Sequence, residues 1–196
     1  GGDFSEPVTQ NSMRVAGGLW ALDASLAYSR HYPSVNWNMS YSLYFHDLDP
    51  WFKENAPTGW TENRQAGVDL LQKDTELQEI VQLVGPDALQ EQERLILEMA
   101  RMVKESFLQQ NAFSDDDAYS SLEKTGGLLD ALVNFYREDE KAISKGVRLA
   151  SIMAHPVSEK VARLSELNPD GFSAKKDAVM SEMKSALQGM VEAEVA

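Results

Sequence analysis

Apolar positions recur along most of the chain with the period of an α-helix. Val15, Ala16, Leu19, Trp20, Leu26 and Ala27 predict one face of a helix over roughly 11–31. Leu77, Ile80, Val81 and Val84 follow the i, i+3, i+4, i+7 spacing of a core-facing stripe. "GPDALQEQE" then breaks the pattern, with Gly85 placed as a C′ residue and Pro86 where no helical N–H is needed. Asp87 or Gln90 starts the next helix, whose inner face carries Ile96, Met99, Val103 and Phe107. A third long helix carries Leu128, Leu129, Leu132, Phe135 and Tyr136, and a final one Met180, Met183, Leu187 and Met190. Strand signals are nearly absent. "DFSEPVTQ" is the best extended segment, because Pro7 disfavours helix at Glu6. The predicted fold is mostly α, an antiparallel helical bundle with a short extended N-terminal segment.

Two stretches punctuate this pattern. "DPWFKENAPTGW" (49–60) separates an aromatic-rich front from the charged helices behind it. "HPVSEKVARLSELNPDGF" (155–172) is broken by Pro156 and by the turn signal "NPDG", and a mobile C-terminal helix is expected beyond it. Charge runs such as "REDEK" read as solvated helix faces.

Composition narrows the function more than the fold. The 196 residues carry no cysteine, which removes disulfides and thiolate metal sites. A net charge of −13 repels a phosphate backbone, so nucleic acid is not an expected partner. No apolar run is long enough for direct membrane insertion, and no signal peptide is evident, so a cytoplasmic location is expected. The chain opens "GGDFSEPV" with its first methionine at Met13, which reads as a piece of a longer protein.

Candidate chemistry is sparse. "VAGGLW" lacks the lysine and spacing of a phosphate loop. His31, His46 and His155 lie far apart with no metal-ligand spacing, so they read as structural or surface histidines and no metal site is expected. "SDDDAYSSLE" lacks the glycine and register of a calcium loop, whereas Ser114 capping a helix with aspartates in its first turn accounts for it. "FLQQNAF" (107–113) is less easily dismissed. It sets an aromatic at each end of an amide cluster, either as the rim of a core or as one wall of a pocket for a flat group.

Four blocks, "GGDFSEPVTQ", "LWALDASLAYSRHYPSVNW", "ELQEIVQLVGPDAL" and "ESFLQQNAF", resemble in order and spacing the catalytic A subunit of V/A-type rotary ATPases. The resemblance runs from position 1 to about 145, and nothing functional is carried onto the tail. It implies that residues 1–60 are the C-terminal edge of the nucleotide-binding domain and 61–196 the helical C-terminal domain. The phosphate loop, the catalytic glutamate and the magnesium ligands of the family lie upstream, so no catalytic residue falls in this chain, and alone it is expected to be inactive. ATP or ADP with magnesium is the implied cofactor of the parent complex, with none bound tightly by this piece.

By the same resemblance Tyr32 and Phe113 sandwich the adenine, with Pro33 and Ala112 lining the slot and Tyr119 as a further candidate. Gly85, Pro86, Asp87, Ala88 and Leu89 form the loop that touches the central rotor stalk. The B subunits of the catalytic hexamer are the other implied partners, and the complex is peripheral to the membrane, translocating protons or sodium ions. The glycine pairs in "RVAGGLW" and "EKTGGLL" stand where the family usually has larger helix formers. With about 1 kcal/mol lost per helical glycine, alanine at Gly126 and Gly127 is expected to stabilise if both lie inside the helix with ordinary helical dihedrals, a fall in melting temperature marking instead a bend or a close backbone approach. The alternative, from another class, is a stand-alone helical protein-interaction module without catalysis.

Overall fold

In a computed structural model describing residues 6–195, the chain is built from ten helices and one minimal sheet among the described residues. The front comprises α1 (Pro7–Val15), β1 (Gly18–Leu19), α2 (Ala24–Tyr28), β2 (Tyr41–Ser42) and α3 (Phe45–Asn55). The two strands pair antiparallel, Gly18 with Ser42 and Leu19 with Tyr41. Behind them α4 (Trp60–Val84) and α5 (Glu91–Val103) form a long hairpin, extended by a π-helical turn at Lys104–Leu108. Then come α6 (Asp115–Ala118), α7 (Leu122–Ser144), α8 (Leu149–Met153), α9 (Pro156–Ala162) and α10 (Phe172–Val195). At 72 % helix the fold is mostly α, as the periodicity predicts.

Three predicted features change. Pro7 keeps Glu6 extended (ψ 130°) but occupies the first turn of α1, where its missing N–H costs nothing. "PVTQ" is therefore helical rather than extended, and "DFS" lies outside the described residues. The single helix over 11–31 is replaced by α1, β1 and α2, so "GG" at 17–18 is not in a helix interior. Gly17 accepts the Leu43 N–H at 2.7 Å, and a Cβ there would meet the Tyr44 ring at 2.3 Å. Finally, the stripe on α4 emerges from the core before its end. Leu77 is buried, while Ile80, Leu83 and Val84 are exposed at the hairpin tip.

The core lies between α5, α7, α9 and α10, where Met99, Phe135, Val157 and Met183 lose all contact with solvent to within 1 %. The predicted faces of α5 and α7 are the buried ones, apart from partial exposure of Ile96, Phe107 and Tyr136. α10 is not a loose tail. Its first residue, Phe172, is 2 % exposed against Gly127 of α7, and Met180, Met183 and Leu187 continue the contact. Among the described residues no helix is long and apolar enough to cross a membrane.

Candidate functional site

The loop bearing Tyr32 is held at its base by local chemistry. Asp23 caps α2, accepting the Ser25 N–H at 2.8 Å and the Ser25 hydroxyl at 2.6 Å. Its second oxygen accepts from the Asn36 amide at 2.9 Å, and these bonds, the Ser25 hydroxyl foremost, lower its pKa to about 2. Helix α2 ends with Arg30 and His31 N–H groups bonded to Ala27 and Leu26 carbonyls, the paired pattern that requires a left-handed residue. Arg30 supplies it at φ 62°, where glycine would carry no strain. His31 is then drawn inward, 8 % exposed and edge-on to Trp37 at 5.6 Å, and burial lowers its pKa. Tyr32 and Pro33 follow on the outside, joined by a cis peptide.

The second loop begins where α5 relaxes into its π turn. Gln109 leaves the helix in extended conformation, and the Gln110 N–H donates to the Tyr32 carbonyl at 2.8 Å. Asn111 N–H is taken by the Asp117 carboxylate at 2.6 Å, and the Asn111 side chain accepts the Phe113 N–H at 3.0 Å. These bonds tie Gln110–Phe113 to Tyr32 on one side and to α6 on the other. Phe113 stands at the tip, 100 % exposed, and Tyr32 is 53 % exposed. Ala112 and Tyr119 are also exposed, and no bond links Tyr119 to the Tyr32 loop.

Ser114 is the N-cap residue of α6 but its hydroxyl makes no capping bond. The aspartates are instead engaged in packing, Asp116 accepting from Asn168 at 2.9 Å and Asp117 from Asn111. Beneath them Lys124, 1 % exposed, donates to the carbonyls of Asp116 at 2.5 Å and Ser165 at 2.7 Å. Burial lowers the pKa of this lysine, and its two carbonyl acceptors keep the ammonium satisfied. Among the described residues no cluster of three or more His, Asp or Glu is arranged to hold a metal ion. His46 is exposed and His155 caps α9 by accepting the Val157 N–H at 3.2 Å.

At the far end of α5 the loop closes as its sequence suggests. Gly85 is left-handed at φ 84°, Pro86–Ala88 form one 3₁₀ turn, and the Gln90 N–H donates to Glu93 at 2.8 Å. Arg94 stiffens the loop by donating to the Leu89 carbonyl at 3.1 Å and the Asp87 carbonyl at 3.3 Å. Pro86, Asp87 and Ala88 are exposed, whereas Leu89 is 6 % exposed and turned inward, so it offers no surface to a partner. Leu83 (84 % exposed), not singled out by sequence, and Val84, expected to face the core, extend the exposed tip.

Sequence reasoning also missed an ion pair that lies between the two candidate loops. Lys104, first residue of the π turn, forms an ion pair with Asp74 of α4, whose side chain is 5 % exposed. The same ammonium lies 5.7 Å from the Trp37 ring centre. Helix hairpin and Tyr32 loop thus share one cation.

The profile of the C-terminal domain of V and A type ATP synthase matches residues 49–153, over half the chain. The chain belongs to the family of A subunits of V- and A-type ATP synthases. The profile of the nucleotide-binding domain of the ATP synthase alpha/beta family matches residues 1–42. The A subunit of the A-type ATP synthase of Haloferax volcanii is 54 % identical over 84 % of this chain and 28 % of its own length. The A subunit numbered 2 of the A-type ATP synthase of Methanospirillum hungatei is 50 % identical over 85 % of this chain and 28 % of its own. The V-type ATP synthase alpha chain of Thermoanaerobacter pseudethanolicus is 46 % identical over 98 % of this chain, so the likeness extends past the tail boundary near 145. The chain spans about a third of the length of these relatives. In fold it is similar to the ATP synthase subunit NeqB from Nanoarcheaum equitans, with TM-score 0.56 and 20 % identity over 69 % of this chain and 33 % of that one.

Proposed function

We propose that this chain supplies the adenine-side wall of a nucleotide site and couples nucleotide state to the central rotor of a V/A-type ion-translocating ATPase. The observation that carries the reading is the Gln110–Tyr32 backbone bond. It sets two loops side by side, each presenting an exposed aromatic ring, and Pro33 and Ala112 are exposed beside those rings in sequence. Such rings fit a flat base by stacking, a contact that tolerates an open, solvated setting. Magnesium and the phosphates would be held upstream in the parent chain, and we propose that residues 1–196 alone hydrolyse no ATP. Magnesium-dependent phosphate release by the purified chain would refute that.

The rotor half of the proposal rests on α4 and α5. An α-helix rises about 1.5 Å per residue, so α4 is a rod of about 37 Å. α5 starts at the Gly85–Ala88 tip and reaches, through the π turn, the loop bearing Phe113. We propose the exposed Pro86, Asp87 and Ala88, with Leu83 and Val84, as the rotor contact, and the B subunits as flanking partners. The front unit, 1–60, would be the edge of a nucleotide domain whose remaining part covers the exposed Val15, Leu22 and Tyr28.

The test is kinetic. In the assembled parent enzyme Phe113→Ala should raise the Michaelis constant for ATP by the equivalent of about 1–3 kcal/mol, with a much smaller fall in kcat. Tyr32→Ala should act alike, and the double variant should lose less than the sum. Unchanged nucleotide affinity in a folded Phe113→Ala enzyme would overturn the adenine wall.

A further inference from the structure

A cavity of about 370 Å³ opens on the side of the molecule where the front meets α4, α7 and the π turn. Its walls are Trp37, Phe107, Leu129 and Trp60, with Arg64 of α4 among them. Neither Tyr32 nor Phe113 lines it. The volume lies at the low end of the roughly 300–1,000 Å³ of small-molecule pockets, room for one or two fused rings.

The polar groups of this wall are unequally engaged. The Ser40 hydroxyl donates to Asn36 and accepts from the Ala21 N–H, and the Tyr41 hydroxyl donates to the Met13 carbonyl at 3.2 Å. Two donors remain. The Trp60 indole N–H is buried without an acceptor. Arg64, half-buried, forms no ion pair or hydrogen bond with a carboxylate among the described residues, its guanidinium centre resting 3.7 Å over the Phe45 ring. Burial lowers its pKa. In a chain of net charge −13, a half-buried arginine in the lining of a cavity that no carboxylate lines is a local inversion of sign.

We propose that this cavity binds a small aromatic carboxylate. The ring system would lie among the tryptophan and phenylalanine side chains, and the carboxylate would neutralise Arg64. A cation finds no counter-charge there, and a nucleotide would bring several phosphate charges against one guanidinium. The occupant braces the front against α4 and α7. This site is independent of the adenine and rotor readings.

The experiment is an indole-region ¹H–¹⁵N titration of the 196-residue chain with 2-naphthoate, using Trp60→Phe to identify the Trp60 signal. Trp60 should shift saturably with a Kd tighter than about 1 mM, while the signal of Trp51, which lies outside the cavity, stays in place. The cationic analogue 2-naphthylmethylammonium should bind at least ten-fold more weakly to the unmutated chain, and Arg64→Met should weaken 2-naphthoate by at least ten-fold. No saturation, equal binding of the two charges, or a Trp51 shift matching that of Trp60 would overturn the proposal. The comparison of ligand charges needs no variant, so it decides the matter even if Arg64→Met fails to fold.

Discussion

Gly127→Ala isolates one contact that holds α10 to the bundle. Sequence alone predicts a gain, because alanine in a helix interior is about 1 kcal/mol better than glycine. The tertiary structure reverses the sign. A Cβ on Gly127 would stand 2.7 Å from Cε1 of Phe172, a ring 2 % exposed and rigid, and ordinary contact begins near 3.4 Å. The ring and helix α10 with it must retreat by roughly 0.7 Å to restore that spacing. Overpacking of this kind costs about 1–3 kcal/mol. Set against the propensity gain, the net is a loss of about 0–2 kcal/mol, or a fall in Tm of up to several degrees for a chain of this size. Gly189 of α10 provides the reference, since nothing lies within 4 Å of its Cβ position. Gly189→Ala should raise Tm, and the difference between the two variants cancels the propensity term and reads the contact itself, about 1–3 kcal/mol. Thermal and urea melts followed by circular dichroism measure both. Trimming the ring with Phe172→Leu should turn Gly127→Ala from harmful to neutral or helpful. Equal stabilisation by Gly127→Ala and Gly189→Ala would refute the argument, because it would mean α10 does not approach α7 that closely. Gly126→Ala should lose stability by the same reasoning, its Cβ falling 2.7 Å from Cγ of Pro57.

Two further predictions test buried charge. Lys104→Met leaves the Asp74 carboxylate buried and unpaired and should cost about 3 kcal/mol, the low end for a broken buried pair given that Lys104 is one-quarter exposed; Lys160→Met, which breaks a half-exposed pair with Glu182, should cost less than about 1 kcal/mol in the same melts, and equal losses would sink the distinction. Asp139 is fully buried on α7 with neither carboxylate oxygen hydrogen-bonded, and desolvation, helped by the neighbouring Glu138, raises its pKa to about 8. Between the unfolded value near 4 and this folded value the native state binds the extra proton, so this group makes stability fall by up to about 1.4 kcal/mol per pH unit as pH rises from about 4 to 8. Asp139→Asn should flatten that slope in melts at pH 5, 6, 7 and 8, and an unchanged slope would show that Asp139 is already ionised at neutral pH.

Sequence by itself determined where the long helices of the bundle lie, because burial on one side of a helix imposes a 3.6-residue period on the residues themselves, but not the broken front or the exposed end of the α4 stripe. That reaches α4, α5, α7 and α10, and the Gly85–Pro86 stop, where backbone sterics act within a few residues. Its family resemblance also pointed to Tyr32 and Phe113, the rings proposed for the adenine wall. Only the tertiary structure decided what those segments meet. The Gln110–Tyr32 bond and the Asp74–Lys104 pair join positions 78 and 30 residues apart, and no local pattern encodes such a distance. The two glycine pairs read alike in sequence. One lies beside a strand against Tyr44, the other inside α7 between Pro57 and Phe172, and the sign of an alanine substitution depends on those neighbours. Asp139 sits amid "REDEK", a run that reads as a solvated face, yet α7 turns this one carboxylate inward. A charge run reports the average exposure of a helix. Which residue on it loses water depends on where the next helix lies.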